Sequence, residues 1–370
     1  MKIVLISDGP LSADSPARKL PFFFAARLVN MVSVTPATVA DAQVVVIELQ
    51  DATEAGLKAL KASWKPLSVV PVICLIDKKS RCEITQVAAL GGSELYDRGA
   101  PLVLLLKRIN DLVNERLCAA LPGDVPVQTL EAYKKSNALL QSLCLTAVEE
   151  APIQVKLLEE SADDLLKALS LDGLTSWLEA VQTHHSGTYS HSLMVAGVAG
   201  MFAQHLGWPE EKCQEVIAGG LVHDIGKMRI PLSILDKPGK LTEEERRIIN
   251  KHPVFGADIL KPRLEISVAI KKMAIQHHEF LDGSGYPNGL DASRISPQVR
   301  LMTICDIFSA LTEVRAYKER APARVAIGIM QQMGPKLDQD MLSRFVNMVL
   351  KPDFGVMKRP AVRASGGAAA

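Results

Sequence analysis

The chain has 370 residues, 48% of them hydrophobic and 22% charged, with a net charge of +1. That is enough apolar material for two or three packed domains, and the balanced charge argues against a nucleic-acid polymer or an anionic membrane as partner. The N-terminal apolar run is too short for a signal peptide, and no run is long enough to span a bilayer, so a cytoplasmic protein is expected. Its six cysteines form no CxxC pair and read as reduced structural thiols.

Residues 1–115 alternate short apolar runs with helical stretches. Lys2–Ile6, Ala42–Leu49 and Val69–Ile76 read as strands, Ala52–Ser63 as an amphipathic helix, and Leu102–Arg116 as a closing helix. Strands alternating with helices predict an α/β domain built on a parallel sheet covered on both faces. By pattern and length this part resembles a response-regulator receiver, a flavodoxin-like fold. Asp8 stands for the first acidic residue, and Glu48 sits at the phosphoacceptor position. Ile76 takes the hydroxyl position, and Arg98 lies near the lysine position. The resemblance therefore implies a pseudo-receiver that takes no phosphate.

The segment Leu121–Pro126 (LPGDVP) is a turn-rich linker. Three helices are expected after it, at Gln128–Cys144, Ser161–Leu169 and Leu174–Thr183. Residues 116–183 are read as a helical connector, with a homodimer through it as the favoured role and plain packing on the next domain as the other. From 184 to 354 the sequence is helical with short polar connections, so an all-α domain is expected. Residues 355–370 read as a disordered tail.

All eight histidines lie between His184 and His278. Imidazole is a common protein ligand for transition metals. His223-Asp224, in LVHDIGKMRI, reads as a helical pair able to share divalent metal, with Lys227 one turn on and on the same face. His191 opens an apolar helix, and His252 lies in or before another. His277-His278 precede Glu279 and the run DGSGYP. Asp306 sits in an apolar helix, where an unpaired carboxylate is costly to bury. Taken singly, most of these have ordinary readings. His205 suits a helix end, His184-His185 suit the surface, and Asp306 could pair with Arg300 or Arg315. Together, spaced along the helices of one domain, they point to a metal centre.

The motifs HDIGK, IPLSILDKPGKLTEEE, HHE with DGSGYP, and Arg315 with Tyr317-Lys318 resemble the HD-GYP family. These are cyclic di-GMP phosphodiesterases within the HD metal-dependent phosphohydrolases, often coupled to receiver domains. The resemblance covers about half the chain, from His184 to Phe354. It implies two divalent metals, iron or manganese. One would be held by His191, His223, Asp224 and Asp306. Asp224 would bridge to the second, held by His252, His277 and His278. A bridging water of lowered pKa would attack phosphorus and open cyclic di-GMP to pGpG, with GMP as the further product. Asp224 and Lys227 would be catalytic. Lys227, Gly285, Tyr286, Arg315 and Lys318 would contact substrate. Departures are Gly187 where some members carry a third-metal glutamate, His185 for aspartate, Phe280 for arginine, Ser309 for aspartate, and Ala316 for proline. They keep two other readings open, a weakly catalytic cyclic di-GMP receptor acting through signalling partners, and a hydrolase of another cyclic dinucleotide. An extra ligand from His184 or His185 would be a further departure.

Overall fold

The structure is a computed structural model. It describes residues 2–350 apart from 13–14, 68, 92–93, 121–124, 150–151, 183–186, 236, 238 and 314–320. The chain divides into two compact units, one of residues 1–120 with 230–245, the other of residues 121–229 with 246–370.

The first unit holds five parallel strands, β1 (Lys2–Ser7), β2 (Ala25–Asn30), β3 (Val44–Glu48), β4 (Val72–Ile76) and β5 (Glu94–Asp97). Their order is β2-β1-β3-β4-β5. That order reverses between β1 and β3, as in flavodoxin-like sheets. The residues of β3 and β4 are buried throughout, which explains why they read as continuous apolar runs. The two edge strands, β2 and β5, were not among the expected strands. Leu28 and Leu95 on them are 49% and 41% exposed, so their sequences carry no unbroken apolar run. Helix starts follow local chemistry, since Thr53 and Ser80 each cap a helix by accepting a backbone N–H.

Ligands of open α/β sheets bind at the C-terminal strand ends. Here that place is filled by the protein's own ions. Glu48, at the end of β3, is buried and meets Arg98 at 2.8 Å. Arg98 also meets Glu83 at 2.8 Å, and the Ser15 hydroxyl donates to Glu48 at 2.5 Å. Asp8, expected as the first acid of this cluster, is spent elsewhere: its carboxylate accepts from the Thr53 backbone N–H at 2.8 Å and from the Thr53 hydroxyl.

The second unit is helical. Val127–Glu149, Val155–Leu171 and Gly173–Gln182 cover the segment expected as a connector, and all three belong to this unit. Helix Gly187–His205 is apolar nearly all round, and Leu193, Val195, Ala196, Val198, Ala199 and Phe202 are each fully buried. Such a helix belongs at the centre of a bundle. Trp177 packs on it and donates its indole N–H to the Leu193 carbonyl at 2.9 Å. Helices Glu210–Val222 and Pro297–Thr312 pack on it, and Val268–Gln276 packs on both of those. Among the described residues no helix is long and apolar enough to cross a membrane. Cys74, Cys213 and Cys305 are buried thiols, and Cys82 is an exposed one.

Candidate metal centre

The site is assembled from helix ends. His223 caps the C-terminus of Glu210–Val222, His277 caps Val268–Gln276, and His252 opens His252–Leu260 directly after Glu243–Ile249. The last carbonyls of a helix lack intrahelical partners. Each imidazole uses one of them. Nδ1 of His223 bonds the Gly220 carbonyl at 2.7 Å, Nδ1 of His252 that of Ile249 at 2.9 Å, and Nδ1 of His277 that of Ala274 at 3.1 Å. A carbonyl only accepts, so Nδ1 carries the proton and Nε2 is left with a bare lone pair.

Those lone pairs converge. Nε2 of His252 lies 3.1 Å from Nε2 of His277 and 3.3 Å from Oδ1 of Asp224. No hydrogen stands between any of these atoms. Nε2 of His223 and Oδ1 of Asp224 are buried without a hydrogen-bond partner. Buried acceptors facing one another are costly unless a cation sits among them. The donor set of imidazole nitrogens and carboxylate oxygens suits a divalent transition metal.

The ligand atoms fall into overlapping groups whose members lie within 4.8 Å of one another, namely His252/His277/His278, His191/His223/Asp306 and His223/Asp224/His277. Asp224 faces both sides. Its Oδ1 lies 3.3 Å from His252 and 3.9 Å from His277, and its Oδ2 lies 3.4 Å from His223 and 3.7 Å from His191. Asp306 accepts from His191 at 2.8 Å and reaches His278 at 3.7 Å. Arg300, one ordinary partner considered for Asp306, pairs instead with Asp338 at 2.9 Å.

His223-Asp224 is not the mid-helix pair that the sequence suggested. The α-helix stops at Val222, and Ile225–Arg229 forms a tighter 3-10 turn closed by the Lys227 N–H on the Asp224 carbonyl at 2.9 Å. In that geometry residues i and i+3 eclipse. Lys227 therefore stands directly over Asp224, and its ammonium donates to Oδ2 at 2.5 Å.

Burial sets the charge states. It pushes His252 down to about 3 and His278 down to about 4, and it holds His277 well below the ordinary range. These three are neutral at pH 7, the form that ligates metal. For His191 burial pulls down too, but the carboxylates of Asp306 and Glu313 overcome it and raise the imidazole to about 9. Metal taken up at pH 7 must displace that proton. Uptake is thus expected to release about one proton per chain, and affinity at that position to rise about tenfold per pH unit until about pH 9. Titration calorimetry in buffers of differing ionisation enthalpy measures the release. For the metal-free fold the sign is reversed: the raised His191 stabilises fully below its ordinary 6.5, and this is lost as pH rises through about 9.

The loop after His277-His278 is clamped by Glu279, which the sequence reading gave no role. Its buried carboxylate accepts from the Asn288 N–H at 2.6 Å and from the Leu290 N–H at 2.9 Å. The loop turns through left-handed Gly283, with φ of 78°. A Cβ on Gly285 would lie 2.3 Å from the Phe280 nitrogen, so the close approach that demands glycine here is to the chain itself. Tyr286 stacks on His278, with centroids 4.7 Å apart and planes 28° apart, and its N–H bonds the His278 carbonyl at 3.0 Å. Its phenol is raised by burial. Glu279→Gln turns an NH₂ toward one of the two backbone donors and is expected to cost about 2 kcal/mol, read as a lower denaturant midpoint.

His205 ends its helix on the surface. Arg315, Lys318, His184 and His185 lie outside the described residues, as do residues 355–370.

Residues 172–341 match the HD domain family model. A cyclic di-GMP phosphodiesterase of Pseudomonas aeruginosa is 37% identical over 172 residues, covering 46% of this chain and 42% of the relative. The cyclic di-GMP phosphodiesterase response regulator RpfG of Xanthomonas campestris is 37% identical over 193 residues, covering 52% and 47%. A 3'3'-cGAMP-specific phosphodiesterase of Vibrio cholerae is 40% identical over 144 residues, covering 39% and 33%. The chain spans less than half the length of each of these relatives.

Proposed function

We propose that the protein is a metal-dependent phosphodiesterase of the HD-GYP kind that opens cyclic di-GMP to the linear dinucleotide pGpG, a reading supported by the HD domain match over residues 172–341 and by the 37% identity to two cyclic di-GMP phosphodiesterases. The observation that carries this reading is Asp224, whose two oxygens face two separate sets of imidazoles in a buried pocket. Divalent iron or manganese held there would supply a low-pKa water and neutralise phosphate charge. His191, His223, Asp224 and Asp306 would hold one ion, and Asp224, His252, His277 and His278 the other.

The chain's own groups set the rest. Neutral His252, His277 and His278 present lone pairs without a prior loss of protons. Lys227 holds Asp224 by one oxygen and keeps a partly exposed ammonium beside the pocket, where a phosphate oxygen would meet it. Tyr286, laid over His278, forms one wall. Arg315 and Lys318 are proposed for the second phosphate or a guanine. In the N-terminal unit, the Glu48–Arg98–Glu83 cluster supports a receiver-like module that takes no phosphate.

A second reading, a hydrolase of the hybrid cyclic GMP–AMP, is favoured by the 40% identity to a Vibrio enzyme of that specificity. Protein loaded anaerobically with ferrous iron or manganese, with its metal counted, is offered cyclic di-GMP, 3'3'-cGAMP and cyclic di-AMP. Fastest release of pGpG supports the first reading, and fastest cleavage of the hybrid supports the second. Tight nucleotide binding without product by metal-loaded protein would make it a receptor.

A further inference from the structure

The imidazoles of the centre are not all held alike. His223, His252 and His277 each rest on a free carbonyl at a helix end. His191 stands inside helix Gly187–His205, where the preceding carbonyls are taken up by the helix itself. It needs a side chain to fix its ring. The group facing its Nδ1 is Glu313, which caps the end of helix Pro297–Thr312. Glu313 is 6% exposed, and its Oε2 lies 3.5 Å from Nδ1. Its Oε1 accepts from the Ser190 hydroxyl at 3.0 Å, so the neighbour of His191 orients the carboxylate.

Asp306 and Glu313 are seven residues apart, two turns of one helix, and share a face. The His191 ring lies along that face, with Nε2 on Asp306 at 2.8 Å and Nδ1 toward Glu313. At 3.5 Å the second contact is an ion pair too long for a hydrogen bond, and Nδ1 is buried with no other partner among the described residues. We propose that Glu313 is a positioning residue for His191. It holds the imidazole by its Nδ1 edge so that Nε2 points at Asp224 and Asp306, in a carboxylate–histidine–metal relay. Such outer carboxylates orient the ring and raise its basicity as a ligand. The inference rests on the metal-centre reading and adds to it a difference between the two positions: the one that uses His191 depends on an acid outside the ligand set, whereas His252 and His277 of the other rest on backbone carbonyls.

The test is binding of Mn²⁺ alone to chelator-stripped full-length protein, followed by electron paramagnetic resonance and elemental counting, with the thermal midpoint of the metal-free form measured beside it. Glu313→Gln is expected to weaken one of two ions roughly 10- to 100-fold, leaving the other ion near wild type, with the metal-free midpoint lowered only by the lost ion pair to His191. Glu313→Asp, with the carboxylate drawn back by one methylene, is expected to fall between the two. It carries the test if Glu313→Gln does not fold. Two ions at wild-type affinity in both variants would overturn the proposal. Equal weakening of both ions would also overturn it, because that is general structural damage. Wild-type protein that takes up no Mn²⁺ would remove the metal-centre reading and this inference with it. Intact selective binding without turnover of any cyclic dinucleotide would support the inference while refuting the hydrolase reading.

Discussion

Asp224→Ala is expected to lower phosphodiesterase turnover by at least about three orders of magnitude and to cut bound metal from about two ions to one or none per chain. The reason is its double exposure to the centre. Oδ1 faces His252 and His277, and Oδ2 faces His191, His223 and Lys227. Asp306 touches the second set only at His278, 3.7 Å from its Oδ2, whereas Asp224 faces two imidazoles on each side. Removing it takes one oxygen ligand from each position at once and frees the Lys227 ammonium. Burial opposes its charge, yet the Lys227 ammonium beside it holds the carboxylate well below its usual range. A neutral Asn would keep the shape without the charge. Asp224→Asn should therefore resemble Asp224→Ala in activity and metal content, while folding closer to wild type. Metal-replete, active Asp224→Ala protein would remove the bridging assignment.

Gly226→Ala is the second large effect, and it comes from a residue with no chemistry. A Cβ at Gly226 would lie 1.9 Å from the His252 carbonyl oxygen and 2.6 Å from the Gly256 nitrogen. Both are backbone atoms and cannot rotate away. The 3-10 turn carrying Lys227 lies directly on the first turn of helix His252–Leu260, which carries His252. Any methyl between them must push Asp224 and His252 apart, and these now stand 3.3 Å from each other. Overpacking of this kind costs typically 1–3 kcal/mol, and more when backbone must move. The expected result is loss of the ion held by His252, turnover down roughly 100-fold, and a lowered denaturant midpoint. Loss of stability with metal content and turnover unchanged would show that the turn and the helix can part without disturbing the centre.

The sequence was most legible where chemistry is concentrated. Five histidines and two aspartates, spread from His191 to Asp306, converge within hydrogen-bond and ligand distances of one another. Their residue types and apolar surroundings announced them. Less legible was how they are held. The break at Val222 into a 3-10 turn is invisible to a helical period, because i+3 and i+4 lie on much the same face and LVHDIGK fits both. Glu279 and Glu313 were given no role, since an acid among acids says nothing until its partners are in place. The edge strands β2 and β5 escaped for a similar reason: half-exposed strands have mixed sequences, whereas buried β3 and β4 could be read by eye. Asp8 was placed correctly at the end of β1 but assigned to a cluster it does not join, because the cap at Thr53 claims it first.

The wide spacing of the donors has an entropic side. His191 and Asp306 are 115 positions apart, and His252 and His277 are 25 apart. An ion gripped by such residues ties several long loops to one point, as a set of cross-links would. A single covalent link closing a loop of about 100 residues restricts the unfolded chain by the equivalent of about 4.7 kcal/mol. Coordination that persists only in the folded state acts in the same direction through mass action. Metal supply would then govern how long the chain survives proteases, apart from how fast it turns over substrate, so scarcity of metal would silence the protein by removing it.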